Sequence, residues 1–297
     1  MNNKLNAIAT FLRVAEAGSF SAAARQSGMK QSAVSQQVAA LEDELGVVLL
    51  HRTTRVMALT EHGESYRRDM TLLLDAMREA EQRLHPVEPH WQGKVHLQLP
   101  SGLGQLFLPH LLALQQMHSG LQLTLSLDDR IADLVSEGVD VALRLSSAPP
   151  QTHAIRMLAC IETALFAAPH FALQSVNELA ALPHVRFSGI APESPLRLVS
   201  DAENIDVKVH TVFRANTSDA LLQALEAGIG IGGMQRPLAR KALQSGRLIP
   251  VLPAYRLPDR FLYAVYPDAR FIPQRVRGIV SVIESLLPEI VGTPQTE

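Results

Sequence analysis

Four side chains at the start of one helical stretch carry groups that can read DNA bases. The stretch runs from Gln31 to Gly46, QSAVSQQVAALEDELG, and the four residues are Gln31, Ser32, Ser35 and Gln36. Apolar residues recur on the other side at steps of four, three and four, at Val34, Val38, Leu41 and Leu45. This spacing predicts a helix with one buried face, whose first two turns expose only hydroxyls, amides and methyls. Gln can hold adenine through two hydrogen bonds and Ser can bond several bases, so the pattern indicates a recognition helix for the major groove.

The segment after this helix adds two cations close to the predicted groove. In HRTTRVMALT, Arg52 and Arg55 flank two threonines. The run predicts a short β-wing whose arginines reach phosphates or an adjacent minor groove. A polar helix face is also typical of an ordinary solvated helix, and similar helix pairs occur in all-helical proteins. The recognition helix taken alone therefore leaves both interpretations open.

The elements that must position these groups are three short helices. The first is predicted from about Leu5 to Ala17 and ends at Gly18. The second starts at a cap provided by Ser19 or Ser21 and stops at Gly28. The third starts near Ser32, a plausible cap, and ends at Gly46. Two helices joined by a short glycine-containing turn predict a helix-turn-helix at about 21–40, within a mainly α domain at 1–59.

The distribution of charge along the 297 residues agrees with a DNA-binding domain in the first part of the chain. Residues 1–68 carry eight Lys and Arg against six Asp and Glu, a net charge of +2. The remaining nineteen basic and twenty-three acidic residues give −4, and the two values sum to the net charge of −2. A weakly basic first quarter indicates where a polyanion such as double-stranded DNA would bind.

Several classes of protein are disfavoured. No apolar run approaches the roughly eighteen residues of a membrane span, and Arg13 and Glu16 interrupt the N-terminal apolar run, which disfavours a secretory signal. The single cysteine, Cys160, excludes an intramolecular disulfide and is expected to be an inert core residue. The eleven histidines are scattered, with no nucleophile elbow or phosphate loop. We therefore expect a cytoplasmic protein that is not an enzyme and has no metal, cofactor or membrane partner.

A long helix with an apolar seam is predicted next, in a connecting segment at 60–90. Thr60 is its expected cap, and Pro86 and Pro89 end the segment. Residues at alternating steps of four and three form the seam: Tyr66, Met70, Leu73, Met77, Ala80 and Leu84. This heptad spacing favours a two-helix coil and hence a homodimer. Packing of the same residues onto their own domain is the alternative.

The rest of the chain, 91–297, has the alternation of short strands and helices that predicts α/β crossover units. The strand-like runs are KVHLQL, LQLTLSL, VDVALRL, TALFAA, VKVHTVF and FLYAVY. Their spacing predicts a first lobe at about 94–163 and 263–297 and a second at about 164–262. Two crossings between lobes make a hinge, and ligands favour the crevice at the carboxyl ends of such strands.

Candidate ligand residues follow from the predicted helix starts in this region. Ser101 and Gly102 follow the first strand, and Thr217 and Ser218 open a helix in the other lobe. Two helix N-termini facing one pocket favour a carboxylate or similar small anion. Further candidates come from their positions after strands and are Asp128, Arg130, Ser147 and Met234. Asp128 is unfavourable beside an anion and would instead select a ligand with a hydrogen-bond donor.

The chain resembles the LysR-type transcriptional regulators over nearly its whole length. In the first sixty-odd residues, the resemblance is carried by FLRVAEAGSFSAAARQSGMKQSAVSQQVAALEDELGVVLLHRTTRVMALTEHGE. In the rest of the chain it is carried by DLVSEGVDVALR, LQALEAGIGIGGM, LIPVLP and LYAVYP. The family often has Pro where this chain has Ser32. The resemblance implies a winged helix-turn-helix, a linker helix and a two-lobed effector domain similar to type 2 periplasmic binding proteins.

The same resemblance implies functions for particular residues. It puts Gln31, Ser32, Ser35 and Gln36 in the major groove and Arg52 in the minor groove of promoter DNA. It also implies a small-molecule effector between the lobes and a homotetramer completed by contacts between effector domains. A small-molecule binding protein of the periplasmic type is the alternative that the second part of the chain permits.

Overall fold

The computed structural model describes residues 2–52, 57–82, 91–130, 133–151, 154–173, 175–268 and 271–292. Contacts divide the chain into two compact units, Met1–Val87 (the head) and Glu88–Glu297 (the body), and each is described by itself. Within the described ranges, no helix has both the length and the apolar content that crossing a bilayer requires.

The head contains three packed helices, a short hairpin and one long helix. In chain order these are α1 (Asn2–Ala17), α2 (Phe20–Ser27), α3 (Gln31–Leu45), β1 (Leu50–Arg52), β2 (Met57–Leu59) and α4 (Glu61–Gln82). Strands β1 and β2 pair antiparallel, which forms the predicted wing. Side chains of α1, α3 and the first wing strand fill the core, among them the fully buried Phe11, Val38 and Leu50. The predicted winged helix-turn-helix is thus confirmed.

Most predicted helix ends in the head are correct. Gly18, Gly28 and Gly46 have φ angles of 66°, 66° and 70°, the left-handed region that terminates a helix. Ser19 caps α2, because its hydroxyl accepts the N–H of Ala22 at 3.1 Å. Thr60 caps α4 in the same way, accepting the N–H of Gly63 at 2.9 Å.

The start of α1 and the cap of α3 differ from the prediction. Helix α1 begins at Asn2, earlier than Leu5. Helix α3 begins at Gln31, and Lys30 holds the cap position with an extended backbone and no side-chain hydrogen bond to the helix. Ser32 is therefore an exposed residue inside the first turn, and its hydroxyl does not cap.

The body contains twelve strands and four α-helices within the described residues. They are β3 (Gly93–Leu99), α5 (Ser101–Met117), β4 (Leu121–Leu127), β5 (Val141–Ser146), β6 (Ile155–Ile161), β7 (Thr163–Ala167), β8 (Pro183–Phe187), β9 (Leu196–Val199), β10 (Asn204–Val207), β11 (His210–Ala215), α6 (Ser218–Glu226), β12 (Ile231–Gln235), α7 (Arg236–Gln244), β13 (Ile249–Pro250), β14 (Arg260–Val265) and α8 (Gln274–Val291). Short 3-10 helices lie at Pro169–Phe171 and Val176–Ala181.

Two five-stranded sheets define two lobes. Lobe I has the strand order β4-β3-β5-β14-β6, and lobe II has β11-β8-β12-β7-β13. The chain passes from lobe I to lobe II between Ile161 and Thr163 and is back in lobe I by Arg260. Helices α5 and α8 cover one face of the lobe I sheet, and α6 and α7 cover one face of the lobe II sheet. The predicted two-lobed α/β architecture is confirmed.

Some strands were not predicted, and one predicted run proved to be two. VKVHTVF contributes to both β10 and β11, with a turn between them, while β6 and β8 lie in segments that gave no strand prediction. GIGIGG leads into β12, where a Cβ on Gly232 would lie 2.6 Å from the carbonyl oxygen of Val185. The glycines there allow two strands to approach closely, which explains why this run lacks the branched residues of a typical strand.

The expectation for Cys160 was wrong. This residue is exposed, because β6 is the outer strand of the lobe I sheet and Cys160 lies opposite Phe261 of β14. Partial burial and the nearby carboxylates of Asp259 and Glu162 raise the pKa of its thiol. A raised pKa disfavours the reactive thiolate form, so it is the core position, not the inertness, that the structure contradicts.

Candidate functional site

The first candidate site is the exposed face of α3. Gln31, Ser32 and Gln36 are exposed and Ser35 is half-buried, while Val34 and Val38 on the opposite face are buried at 1% and 0% exposure. The face carries no charged side chain over these two turns. Because no side chain caps the helix, its N-terminal end presents its partial positive charge toward whatever approaches it.

The two adjacent glutamines of α3, Gln36 and Gln37, have different surroundings. The side chain of Gln37 turns to α1, where its Oε1 accepts the hydroxyl hydrogen of Thr10 at 2.6 Å. Gln36 lies on the exposed face. Gln31 is partly engaged, since its Oε1 accepts a hydrogen bond from the Ser21 hydroxyl at 3.0 Å. Gln37 therefore holds the fold, and Gln36 remains available to an incoming partner.

One residue with a positioning role was missed in the sequence. Glu42 lies near the C-terminal end of α3, and its Oε1 accepts the N–H groups of Leu49 and Leu50 at 2.8 and 3.1 Å. This carboxylate thereby fixes the start of β1 relative to α3. The sequence offered one signal, an acidic residue directly inside a helix end that precedes a strand by a few residues. Its neighbour Glu44 forms an exposed ion pair with Lys4 at 2.7 Å.

The wing arginines can be placed only in part. The backbone of Arg52 pairs with Met57 at the outer end of the hairpin. Arg55 and the side chain of Arg52 lie outside the described part of the chain.

The predicted seam of α4 divides into two faces. Tyr66 and Met70 pack on the core of the head, with the ring of Tyr66 5.9 Å from that of Phe11. Leu73 and Met77 are exposed at 49% and 39%, while Leu84 lies outside the described residues. The reason is that the head itself covers the first turns of α4. The apolar surface of α4 that remains open is thus formed by Leu73 and Met77.

In the body, the two predicted helix starts do come together. The N–H of Ser218, at the first turn of α6, points to the hydroxyl oxygen of Ser101 at 3.4 Å, and Ser101 opens α5. Thr217 caps α6 by accepting the N–H of Ala220 at 3.4 Å. Ser101 lies in lobe I and Ser218 in lobe II, so this polar contact joins the lobes directly.

Gly102 permits this close approach. A Cβ at this position would lie 2.8 Å from the Cβ of Ser218 and 2.6 Å from a methyl carbon of Leu238 in α7. The Cβ of Ser218 is fixed to its backbone and cannot move aside, whereas the methyl of Leu238 ends a flexible, half-buried side chain. The prediction that Gly102 belongs to the ligand site remains a prediction, but its position at the contact between lobes is clear.

Asp129, which the sequence reasoning missed, occupies the N-terminal end of α5. Its carboxylate accepts the N–H of Ser101 at 3.1 Å and also the Ser101 hydroxyl. Burial raises the pKa of Asp129, and the nearby Asp128 and Asp219 add to that effect. The chain thus places its own carboxylate where the sequence predicted an anionic ligand. Asp129 was hidden because adjacent Asp128 and Asp129 look equivalent in sequence.

A cleft of about 330 Å³ opens beside this junction, between helices of both lobes. Gly102, Gln105 and Leu106 of α5 form one wall, and Ser218, Asp219 and Leu222 of α6 form another. The remaining lining comes from α7 and the end of α8: Pro237, Leu238, Arg240, Lys241 and Ile290. Its lining is mainly apolar, and its charged side chains are Asp219, Arg240 and Lys241.

The other predicted ligand residues have different surroundings. Asp128 and Arg130 form an ion pair with each other, and Arg130 also reaches Glu137 at 3.0 Å. Hydrogen bonding from Arg130 lowers the pKa of Asp128. Ser147 is exposed in the bend after β5. Met234 is 2% exposed and belongs to the core under α6 and α7, because the alternation of β12 turns it inward; its assignment to the ligand site is not supported.

Comparisons with known proteins cover both units. Residues 5–64 match the family model of the bacterial regulatory helix-turn-helix protein, lysR family, and residues 89–287 match the LysR substrate binding domain. The uncharacterized HTH-type transcriptional regulator YhjC of Escherichia coli (strain K12) is 32% identical over 97% of this chain and 99% of its own length. The HTH-type transcriptional activator AaeR of the same strain is 28% identical over 97% and 95%. The structure of CrgA, a LysR-type regulator from Neisseria meningitidis, matches with a TM-score of 0.56 and 28% identity over 97% and 99% of the two chains.

Proposed function

Because this chain belongs to the LysR family of transcriptional regulators, we propose that it binds promoter DNA through the exposed face of α3 and responds to a small anionic molecule held between its lobes. Relatives such as YhjC and AaeR are transcriptional regulators rather than enzymes. The proposed place of action is the cytoplasm, where promoter DNA is accessible.

The observation that carries the DNA-binding part is the division of labour between Gln36 and Gln37. Gln37 is held inside by Thr10 at 2.6 Å, whereas Gln36 projects from an uncharged and closely approachable surface. A side chain kept free of internal partners on such a helix can form two hydrogen bonds to an adenine edge. The uncapped helix end and the wing backbone at Arg52 supply phosphate contacts in this proposal.

Anisotropy titrations test this part. The full-length protein is titrated against the duplex upstream of its own gene and a scrambled duplex of equal length, at two salt concentrations. We expect tight, salt-sensitive binding with a clear preference for the native segment, because phosphate contacts release counterions and base contacts select sequence. Absence of binding to either duplex at low salt would reject the DNA-binding proposal.

The contact between Ser101 and Ser218 supports the effector part. It joins the two lobes through a hydrogen bond of 3.4 Å at the edge of the 330 Å³ cleft, so a ligand inserted there changes how the lobes meet. A ligand shifts the regulator only if it binds one arrangement of the lobes better than another. The α5 end is already occupied by Asp129, so an anionic group must find its partners on lobe II, beginning with the α6 end at Thr217.

The same DNA assay, repeated with a panel of organic acids, tests the anionic effector. We expect at least one acid to change operator affinity at constant ionic strength. A response only to cationic or neutral apolar compounds would reject the anionic character of the effector, but the proposal that the protein responds to an effector would stand.

Oligomerisation is proposed from two exposed apolar surfaces. On α4, Leu73 and Met77 form the open part of the seam, and a homodimer through 60–85 would bury them. On the body, exposed Leu112 and Met117 of α5 and Phe213 of β11 offer contacts that would complete a homotetramer. Paired recognition helices would then meet half-sites spaced by about one turn of DNA or a multiple of it.

Charges placed on the α4 surface test the dimer. Replacing Leu73 and Met77 together by Glu puts repelling, solvated groups into the interface. We expect sedimentation velocity to show loss of the α4-dependent assembly, with circular dichroism unchanged because neither residue belongs to the head core. The double substitution Leu112→Glu with Met117→Glu is the control, and it should leave the dimer intact. An unchanged mass in the α4 variant would contradict the proposal.

A further inference from the structure

Two arginines of lobe II lie side by side on one face of the sheet. Arg186 in β8 and Arg214 in β11 are register partners in a parallel strand pair, so their side chains point to the same face, about 4.8 Å apart at the backbone. Arg186 is only 8% exposed, while Arg214 is exposed. The two arginines lie on the sheet face opposite to the one covered by α6 and α7. This follows because Val185 and Phe187, on either side of Arg186 in β8, pack toward those helices.

Both guanidinium groups donate to backbone carbonyls of one loop. Arg186 Nη1 donates to the carbonyl of Ser194 at 2.7 Å, and Arg214 Nη2 donates to those of Ser188 and Ile190. Within the described residues, neither arginine forms an ion pair. The carboxylate of this loop, Glu193, is exposed and forms none with them. Loop 188–194 thus anchors the guanidinium groups without neutralising them.

Other arginines of the same lobe behave differently. Arg197, Arg247 and Arg256 each pair with a carboxylate, at 2.8 Å to Asp206, 3.4 Å to Glu226 and 2.5 Å to Asp259 respectively. Arg240 of α7 also donates only to backbone carbonyls, those of Glu289 and Ile290, so the pair on β8 and β11 differs from it in having two guanidinium groups side by side without a carboxylate partner in the described part of the lobe. Two adjacent like charges, one of them buried, are unfavourable unless an anion offsets them.

A buried histidine, His184, neighbours the two guanidinium groups on this face. Burial lowers the pKa of Arg186, and Arg214 lowers it further. The neighbouring His184 is 1% exposed, and burial, Arg186 and His210 all lower its pKa. The charged side chains that shift the pKa of Arg186 and of His184 are all basic ones.

The position of the pair suits a ligand. Arg186 and Arg214 lie one residue before the carboxyl ends of parallel strands β8 and β11, the edge where ligands bind in α/β sheets. Each guanidinium has five N–H donors, and the bonds to the loop use only one nitrogen of each. The remaining donors can take a planar oxyanion through paired hydrogen bonds.

We propose that Arg186 and Arg214 bind an oxyanion, a carboxylate or phosphate group carried by the effector, in a site floored by β8 and β11 and bordered by loop 188–194. This inference rests on the effector response proposed above and names the residues that recognise the anionic group. It adds two arginines to the α6 end at Thr217 as partners of that group on lobe II, since Asp129 occupies the α5 end. The alternative is that the two arginines serve only to hold the loop.

Anion binding by full-length variants tests the proposal. Inorganic phosphate and succinate are each titrated calorimetrically at constant ionic strength into wild type, Arg214→Gln, Arg186→Lys and the control Arg247→Gln. Arg214 is exposed and its glutamine variant is expected to fold, and Arg186→Lys keeps the charge but loses the planar fork. Phosphate binding by the head is common to all variants, so it cancels from the differences.

We expect wild type and Arg247→Gln to bind at least one of the two anions, and Arg214→Gln to bind it roughly tenfold or more weakly, because a charge-assisted bidentate contact is lost. Preference for succinate or for phosphate identifies the group that the effector carries. A purely loop-holding role would lower the melting temperature of Arg214→Gln and leave the affinity unchanged, which would overturn the proposal, as would absence of anion binding by wild type. If the variants behave as expected but no organic acid alters operator binding, the anion site stands and the effector response is what fails.

Discussion

The N-terminal ends of α3 and α5 have the same backbone chemistry and opposite surroundings. Helix α3 begins at Gln31 with no side-chain cap, and Gln31 and Ser32 at its start are exposed. Helix α5 begins at Ser101, which is buried, and its terminal N–H is taken by the carboxylate of Asp129 at 3.1 Å. A helix N-terminus attracts anions in general, but the neighbouring chain decides whether an outside anion can use it.

Because one helix end is open and the other is occupied, we expect the two ends to have different roles in the head and in the body. The open end of α3 is compatible with DNA phosphates and bases approaching from solvent. The closed end of α5 instead serves as a polar contact between lobes, through Ser218. Substitutions that add or remove groups at the two ends should therefore have different consequences.

The largest expected effect comes from the glutamines of α3. Replacing Gln36 by Ala should cost about 1–3 kcal/mol of operator binding, because a bidentate base contact is lost. Affinity for random DNA, dimerisation and melting temperature should stay nearly unchanged. Anisotropy titrations on operator and scrambled duplexes measure this difference. Equal loss on both duplexes would mean that Gln36 does not read bases.

Gln37→Ala is the matched control one residue away. It leaves the buried hydroxyl of Thr10 without its partner and should lower the stability of the head by about 1–3 kcal/mol. Thermal unfolding measures that loss. If Gln37→Ala instead impaired only operator recognition, the inward assignment of Gln37 would be wrong.

A methyl group added at the N-terminal end of α5 should lower the stability of the protein more than a substitution at the N-terminal end of α3. Gly102→Ala places a Cβ 2.8 Å from that of Ser218, and overpacking of this kind costs about 1–3 kcal/mol. Ser32→Ala, at an exposed position with no capping role, should change stability by less than about 0.5 kcal/mol. Thermal unfolding of the two variants compares them directly, and equal stability would contradict a crowded junction between the lobes.

The smallest expected effect is a pH dependence that belongs to the closed end. The pKa of Asp129 is raised above its ordinary value of 3.8 by burial, so the folded protein holds this proton more tightly than the unfolded chain. The stability it contributes is fully present below 3.8 and is lost as pH rises through the folded-state pKa. Asp129→Asn cannot titrate but retains an acceptor for Ser101.

Melting temperatures of wild type and Asp129→Asn should accordingly diverge with pH. We expect the advantage of wild type to be greatest at the most acidic pH that preserves the fold and to shrink as pH approaches neutrality. A wild-type advantage that grows with pH would mean that hydrogen bonding from Ser101 outweighs burial and holds the carboxylate ionised.

Much of the architecture follows from local sequence rules. The glycines at 18, 28 and 46, the caps at Ser19 and Thr60 and the four-three-four spacing in α3 each depend on a few consecutive residues. Such signals need no knowledge of distant parts of the chain. They predicted the winged helix-turn-helix, the long α4 and the strand–helix alternation of the body.

Other features depended on partners far away in sequence. The two faces of α4 separated because the head covers Tyr66 and Met70 but leaves Leu73 and Met77 open. Met234 turned inward because β12 pairs with β7 and packs under α6 and α7. A heptad pattern, or a position after a glycine run, specifies only how residues are spaced along the chain. The same spacing is compatible with different packing partners, so it did not decide what these side chains pack against.

The sequence by itself determined which side chains could do chemistry: amides and hydroxyls on α3, and helix starts at Ser101 and Thr217. Only the tertiary structure decided which of them remained free. It turned Gln37 inward to Thr10, set Asp129 on the α5 end and left Arg186 beside Arg214 with backbone carbonyls as partners. The physical reason is that hydrogen bonding and charge compensation are satisfied by whichever groups come within about 3 Å, and these partners lie 8 to 28 residues apart in the chain.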